Sequence, residues 1–304
     1  MELKSTRDGF GEAIIELAET NKDLVIVDAD LKESLRVSRF AERYPERFIE
    51  VGVAEQNLVG VAAGLAIAGK TVFTTSFACF SPAICWNNIR IDICYSNSNV
   101  KIVGSHGGLA TGGDGASHQA LEDIALMRVL PNMVVLVPAD YEQAKKLTKL
   151  AAEYGGPVYL RLARPETPVF GNQYSAFSIG GSEVLREGSK MTILGYGPVL
   201  GEALKAAEEL EAEVINCYSV KPLDEQTILS SVKKTGKVIT IEDHSIIGGL
   251  GGAVAEFLSQ GYPVPIKMLG VKDIFGESAR DYRELWQKYG LTAESIIKSG
   301  KQWT

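Results

Sequence analysis

The residues best suited to chemistry lie in one glycine-rich run, GSHGGLATGGDGASHQ, residues 104 to 119. Six of these sixteen residues are glycine, so the backbone can take positive φ and approach a ligand closely. Two of the chain's three histidines, His106 and His118, sit here with Asp114 between them. A flexible surface loop that happens to carry histidines is the plainer reading of the same residues. Glu55 is the second candidate, a lone carboxylate in the run VGVAEQN. Taken by itself, that position reads equally well as a complement to a helix dipole and as a chemical group. The four cysteines, Cys79, Cys85, Cys94 and Cys217, lack metal-ligand spacing and are expected as buried free thiols of a reducing cytosol.

Several elements must position these groups. Residues 48 to 69, FIEVGVAEQNLVGVAAGLAIAG, read as a short apolar strand, a turn through Glu55, and then a helix. That helix is apolar on nearly every face and rich in small residues, so it is expected to be buried on most sides and to let another backbone come close. Residues 5 to 21 predict an amphipathic helix and 24 to 28 a buried strand. The strand ends in Asp-Ala-Asp-Leu, and polar groups at the carboxyl edge of a parallel sheet are where ligands collect. Residues 32 to 44 read as charged and mostly solvated. Further strands are expected at 71–76, 100–103, 133–137 and 158–162, with helices at 121–128 and 141–153. The run from Pro165 to Gly188 reads as a linker. A second set of strands follows at 191–194, 213–216, 237–241 and 264–270, with no cluster of polar functional residues. The expected fold class is α/β, with two parallel-sheet three-layer domains. Their bounds are 1–170 and 189–304, joined by a linker at 171–188.

Composition narrows the function. With 304 residues, each domain can bury its own core. The net charge of −7 argues against nucleic acid or an anionic membrane surface as partner. No apolar run is long enough to span a bilayer, and no hydrophobic signal core opens the chain. A cytoplasmic, soluble protein is expected.

V-G-V-A-E-Q-N followed by an Ala/Gly-rich helix resembles the pyrimidine-binding domain of thiamine-diphosphate enzymes, and within them the transketolase group. The resemblance implies that Glu55 hydrogen-bonds N1′ of the cofactor's aminopyrimidine and so favours the imino tautomer that activates the thiazolium. The loop at 104–119 is similar to a transketolase run with an aspartate and two histidines at this spacing. By that match His106 would contact the substrate phosphate or a hydroxyl, Asp114 the sugar C2 hydroxyl, and His118 the C1 or C3 oxygens. Glu55, Asp114 and His118 would then form the catalytic set. Phe77 and Phe80, in TSFACF, align with aromatic residues that pack on the aminopyrimidine, while Ala83 stands where a third aromatic wall is common. Arg7, Ser34 and Arg164 fall where transketolases place sugar-phosphate contacts, with Arg161 a competitor for Arg164 by proximity. YSVKPLD (218–224) and IEDHSIIGGLGG (241–252) resemble the transketolase C-terminal domain, in which His244 reads as a structural loop residue.

Gly113-Asp114-Gly115 imitates the GDG that opens the diphosphate–Mg²⁺ motif, but the asparagine completing that motif is missing. Asn132 follows too soon and Asn172 too late. No metal ligands are therefore assigned to this chain. The resemblance is to the C-terminal subunit of a split transketolase, moving a two-carbon ketol unit from a ketose phosphate to an aldose phosphate. An N-terminal partner subunit would hold Mg²⁺ and the diphosphate, thiamine diphosphate would be shared between the chains, and an α2β2 assembly is expected. The alternatives are a 2-oxo acid dehydrogenase beta subunit, a deoxyxylulose-phosphate-synthase-like enzyme, and a regulatory paralogue that kept the fold.

Overall fold

The computed structural model describes residues 2–169 and 177–303. A seven-stranded sheet organises the first half. From edge to edge its strands are Ser219–Lys221, Val134–Leu136, Val158–Arg161, Val100–Ser105, Thr71–Phe77, Leu24–Asp28 and Phe48–Glu50. All the pairings are parallel except that of Ser219–Lys221. Parallel strands need helical crossovers, which cover both faces, and the central strands are accordingly near-continuous apolar runs such as VKIV and VYL.

The five-stranded sheet of the second half runs Ile266–Val271, Val238–Ser245, Met191–Gly195, Ala212–Asn216 and Glu183–Arg186, with only the last strand antiparallel. Glu183–Arg186 lies inside the span expected as linker, and residues 170–176 of that span fall outside the described residues. The strand Ser219–Lys221 crosses over to close the first sheet, so the second half of the chain donates an edge to the first.

The helix Thr6–Thr20 starts at a capping box, with Ser5 and Asp8 satisfying each other's orphan amides. It packs against the helix Tyr141–Glu153 at Gly9, where a Cβ would stand 2.3 Å from the Tyr141 carbonyl oxygen. Glycine is what permits that approach.

Residues 32–44 are mostly solvated, as expected, with Leu35, Val37 and Phe40 fully buried beneath a charged outer face. One expectation needs correction: the Glu55–Ile67 helix is not buried on most sides. It buries Glu55, Leu58, Val59, Ala62 and Ala63, whereas Cβ atoms built on Gly60 and Gly64 would meet open space and Ile67 is 79% exposed. A single chain covers one face of this helix and leaves an apolar face outside.

Candidate active site

The site forms along the carboxyl ends of the first sheet's strands, the place where ligands bind in open parallel sheets. Glu55 is the first residue of its helix, where Ala54 offers no side-chain cap. The residue is only 5% exposed, and its carboxylate accepts a hydrogen bond from Ser76 Oγ at 3.2 Å. Ser76 and Phe77 end the strand Thr71–Phe77, so the strand that braces the acid also delivers the first aromatic ring. The Phe77 and Phe80 rings stack with centroids 5.9 Å apart. Ala83 is exposed and contributes no wall.

The glycine-rich loop brings its histidines to the same rings. His106 follows the strand Val100–Ser105 at φ 61°, and its imidazole lies 3.9 Å from the Phe77 centroid. Its Nδ1 shares a hydrogen bond with Ser105 Oγ at 2.9 Å. His118 stands edge-on to Phe80 at 5.4 Å, with Nδ1 2.9 Å from Ser117 Oγ. Burial lowers the pKa of His106 to about 3, and the charges of Arg7 and Arg164 push the same way. His106 is therefore neutral throughout the physiological range and acts as a hydrogen-bonding group. In the unfolded chain it protonates near its ordinary value, so folding loses stability as pH falls from about 6.5 towards about 3. An NMR titration should leave the His106 resonances unmoved between about pH 8 and about pH 4.5. A midpoint near that of free histidine would refute the assignment.

Beyond the histidines lies a cationic end. Arg164 Nη1 donates to the Thr111 carbonyl at 2.7 Å and lies 3.4 Å from Asp114 Oδ2. Arg7 Nη1 donates to the Ser34 carbonyl at 3.0 Å, while its buried Nε has no partner among the described residues. A cleft of about 310 Å³ opens here, lined by Arg7, Thr111, Gly113 and Arg164. The competitor Arg161 is unavailable, since it is 5% exposed and locked to Asp123 at 2.7 Å. Contacts thus join Glu55 to Ser76 beside Phe77, the rings of Phe77 and Phe80 to His106 and His118, and Arg164 to Asp114, while Ser34 enters only through its backbone carbonyl, which accepts from Arg7.

Sequence reading missed what holds this site. Asp243, from the second domain, accepts hydrogen bonds from the loop amides of Leu109 at 2.8 Å and Ala110 at 3.2 Å, and from Trp286 Nε1 at 3.1 Å. It packs so tightly on Gly108 (φ 84°) that a Cβ there would lie 2.5 Å from the carboxyl carbon. Arg161 reaches the carbonyls of Ala120 and Asp243, tying the loop's far end to the same strand. The second domain therefore carries a buried polar cluster that holds the loop in place. His244 belongs to its buried part, at the end of the strand Val238–Ser245 rather than in a loop, with Nδ1 2.7 Å from the Ser245 carbonyl oxygen. The signal was present as three consecutive polar residues, Glu242-Asp243-His244, closing an apolar strand.

The residues fit one end of thiamine diphosphate. A nearly dry carboxylate braced by a single hydroxyl, next to a stacked aromatic pair, suits an aminopyrimidine ring. Among the described residues no group of three or more His, Cys, Asp or Glu could hold a metal ion.

Residues 3–169 match the transketolase pyrimidine-binding domain, and residues 180–296 match the transketolase C-terminal domain. The chain belongs to the transketolase family. A protein of Methanocaldococcus jannaschii, provisionally described as a transketolase C-terminal section, is 46% identical over 303 residues, covering 97% of this chain and 95% of that protein. A 6-deoxy-6-sulfo-D-fructose transketolase subunit of a Clostridium species is 41% identical, covering 98% of this chain and 94% of the relative. Among solved structures, a split-gene transketolase described as an inactive beta4 tetramer superposes with a TM-score of 0.91 at 46% identity, covering 98% of this chain and 97% of that one. In this transketolase chain the two α/β domains are thus the family's pyrimidine-binding and C-terminal domains, as the sequence led one to expect.

Proposed function

We propose that this chain is the pyrimidine-binding subunit of a two-subunit, thiamine-diphosphate-dependent transketolase, carrying a two-carbon ketol unit from a ketose phosphate to an aldose phosphate. The observation that supports the reading is the gathering of the buried Glu55, Phe77, His106 and His118 at the carboxyl ends of one sheet, on the side where Arg7 and Arg164 line a cleft. Bound thiamine diphosphate supplies the carbanion chemistry of the transfer. Glu55 holds a proton against the aminopyrimidine N1′, and Phe77 with Phe80 fixes the ring. Neutral His106 hydrogen-bonds a sugar oxygen, His118 the oxygens near the reacting carbons, Asp114 accepts from a sugar hydroxyl, and Arg7, Ser34 and Arg164 receive the terminal phosphate.

The diphosphate and Mg²⁺ are assigned to a partner chain, because the asparagine that completes the metal motif is missing here. Subunits of this length among the relatives support a split enzyme. The outward face of the Glu55 helix, with Gly60, Gly64 and Ile67, suits close subunit packing in an α2β2 complex. Free thiols at Cys79, Cys85, Cys94 and Cys217 suit a cytoplasmic setting.

The test is reconstitution with a diphosphate-binding subunit, thiamine diphosphate and Mg²⁺. Ketol transfer between sugar phosphates is expected. Oxidation of pyruvate with an artificial electron acceptor, in the absence of ketol transfer, would instead identify a 2-oxo acid dehydrogenase beta subunit.

A further inference from the structure

The cleft beyond Asp114 has a wall that the first domain does not build. Arg280, in the loop that leads to the helix Tyr282–Lys288 of the second domain, lines it together with Arg7 and Arg164. The loop is seated there by Gln119 Nε2, which donates to the Glu277 carbonyl at 2.9 Å, and by Gly112 and Gly113, each of which would place a Cβ 3.8 Å from the Ala279 carbonyl oxygen. Three guanidinium groups on separate segments thus face one cleft of a protein whose net charge is −7.

The nearby carboxylates neutralise them only in part. Asp8 is held by Arg36 at 2.7 Å, Asp281 by Arg283 at 2.9 Å, and Asp114 lies beside Arg164 at 3.4 Å. Glu166 is the remaining acid on the lining. Arg280 is exposed and engages no carboxylate among the described residues. Burial lowers the pKa of His106, with Arg7 and Arg164 adding to it, and burial with Arg36 and Arg164 lowers that of Arg7 against the pull of Asp8 and Glu166. Three guanidinium groups against Asp114 and Glu166 leave a net positive charge at the cleft, which suits an anion.

We propose that Arg280, brought in by the second domain, completes a three-guanidinium subsite that selects a dianionic phosphate ester at the far end of the sugar. This rests on the transketolase reading for the identity of the sugar, but not for the anion site, which lies wholly within this chain. A forked guanidinium matches the three oxygens of a phosphate ester, and a third positive charge favours a dianion over a monoanionic sulfonate or an uncharged terminus.

The closing experiment has two arms. In the first, the isolated full chain is titrated with methyl phosphate, a dianion at about pH 8, and with methanesulfonate, a monoanion, followed by NMR of the arginine side chains. Arg280→Met should weaken methyl phosphate roughly tenfold and methanesulfonate less than about threefold, with Arg280→Lys in between. Equal weakening of both probes, or no change in either, would overturn the proposal. In the second arm, the reconstituted complex carrying Arg280→Met should show a raised KM for a phosphorylated ketose donor at unchanged kcat, and an unchanged KM for an unphosphorylated donor. A fall in kcat shared by both donors would also overturn it. If the wild-type complex performs no ketol transfer while the first arm holds, the transketolase reading fails and the anion subsite stands.

Discussion

Replacing Glu55 by glutamine should abolish ketol transfer in the reconstituted complex and, in the same protein, make the isolated chain more stable. Glu55 is 5% exposed and its carboxyl group is met by one hydroxyl, Ser76, at 3.2 Å. Burying a polar group with so few partners costs about 1–3 kcal/mol. Its position at the start of a helix recovers only about 0.3–1 kcal/mol. The amide keeps the shape and can still accept from Ser76, so Glu55→Gln should raise the stability of the isolated chain by roughly 1–2 kcal/mol. It cannot hold the proton for N1′, and losing a positioned acid of this kind lowers rates by about 10²- to 10⁴-fold. Thermal melts and steady-state rates read the two effects separately. A full rate in the Glu55→Gln complex would remove this residue from the mechanism. A destabilised chain would mean that the carboxylate is structural.

The second large effect lies at the domain junction. Asp123 Oδ2 accepts from Arg161 Nε at 2.7 Å and from the Tyr159 hydroxyl at 2.6 Å, with both charged side chains buried. Asp123→Ala would strand a guanidinium that has only the Ala120 and Asp243 carbonyls left to it. Breaking a buried pair from one side costs about 3–5 kcal/mol. The midpoint of the first urea transition should fall accordingly. The glycine-rich loop, pinned at one end by Asp243 and at the other by Arg161, should become mobile, raising KM for the sugar in the complex. Asp123→Leu combined with Arg161→Met should recover much of the stability, because the guanidinium goes with its partner and Asp243 keeps its hydrogen bonds from Leu109, Ala110 and Trp286. A loss below about 1 kcal/mol in Asp123→Ala would show that the junction is held by apolar packing alone.

These two sites differ in how visible they are from sequence. Glu55 and the glycine-rich loop are contiguous signals, one a lone acid ahead of an apolar helix and the other six glycines around two histidines. The parallel sheets were equally visible, because strands buried on both faces become near-continuous apolar runs such as LVIV and VYL. The junction was not. Asp123 and Arg161 are 38 residues apart, and Arg161 reaches Asp243 across a further 82, so each reads as an ordinary charged residue until the fold brings them together. Arg280 was hidden for the same reason, lying in a polar loop of a domain that had seemed remote from the chemistry. The strand Ser219–Lys221 is too short to announce itself, and its place in the first sheet is set by a partner strand far away in sequence. The open face of the Glu55 helix misled in the opposite direction, since an apolar surface reads as core whether its cover comes from the same chain or another.

The central claim, that this chain supplies the pyrimidine half of a cofactor site and another chain the diphosphate half, is tested most directly by calorimetric titration with thiamine diphosphate in Mg²⁺. The chain alone should show no saturable binding up to about millimolar cofactor, and an equimolar mixture with the diphosphate-binding subunit should bind in the micromolar range. Micromolar binding by the isolated chain would mean that it holds a complete diphosphate site, and the two-chain account would be wrong.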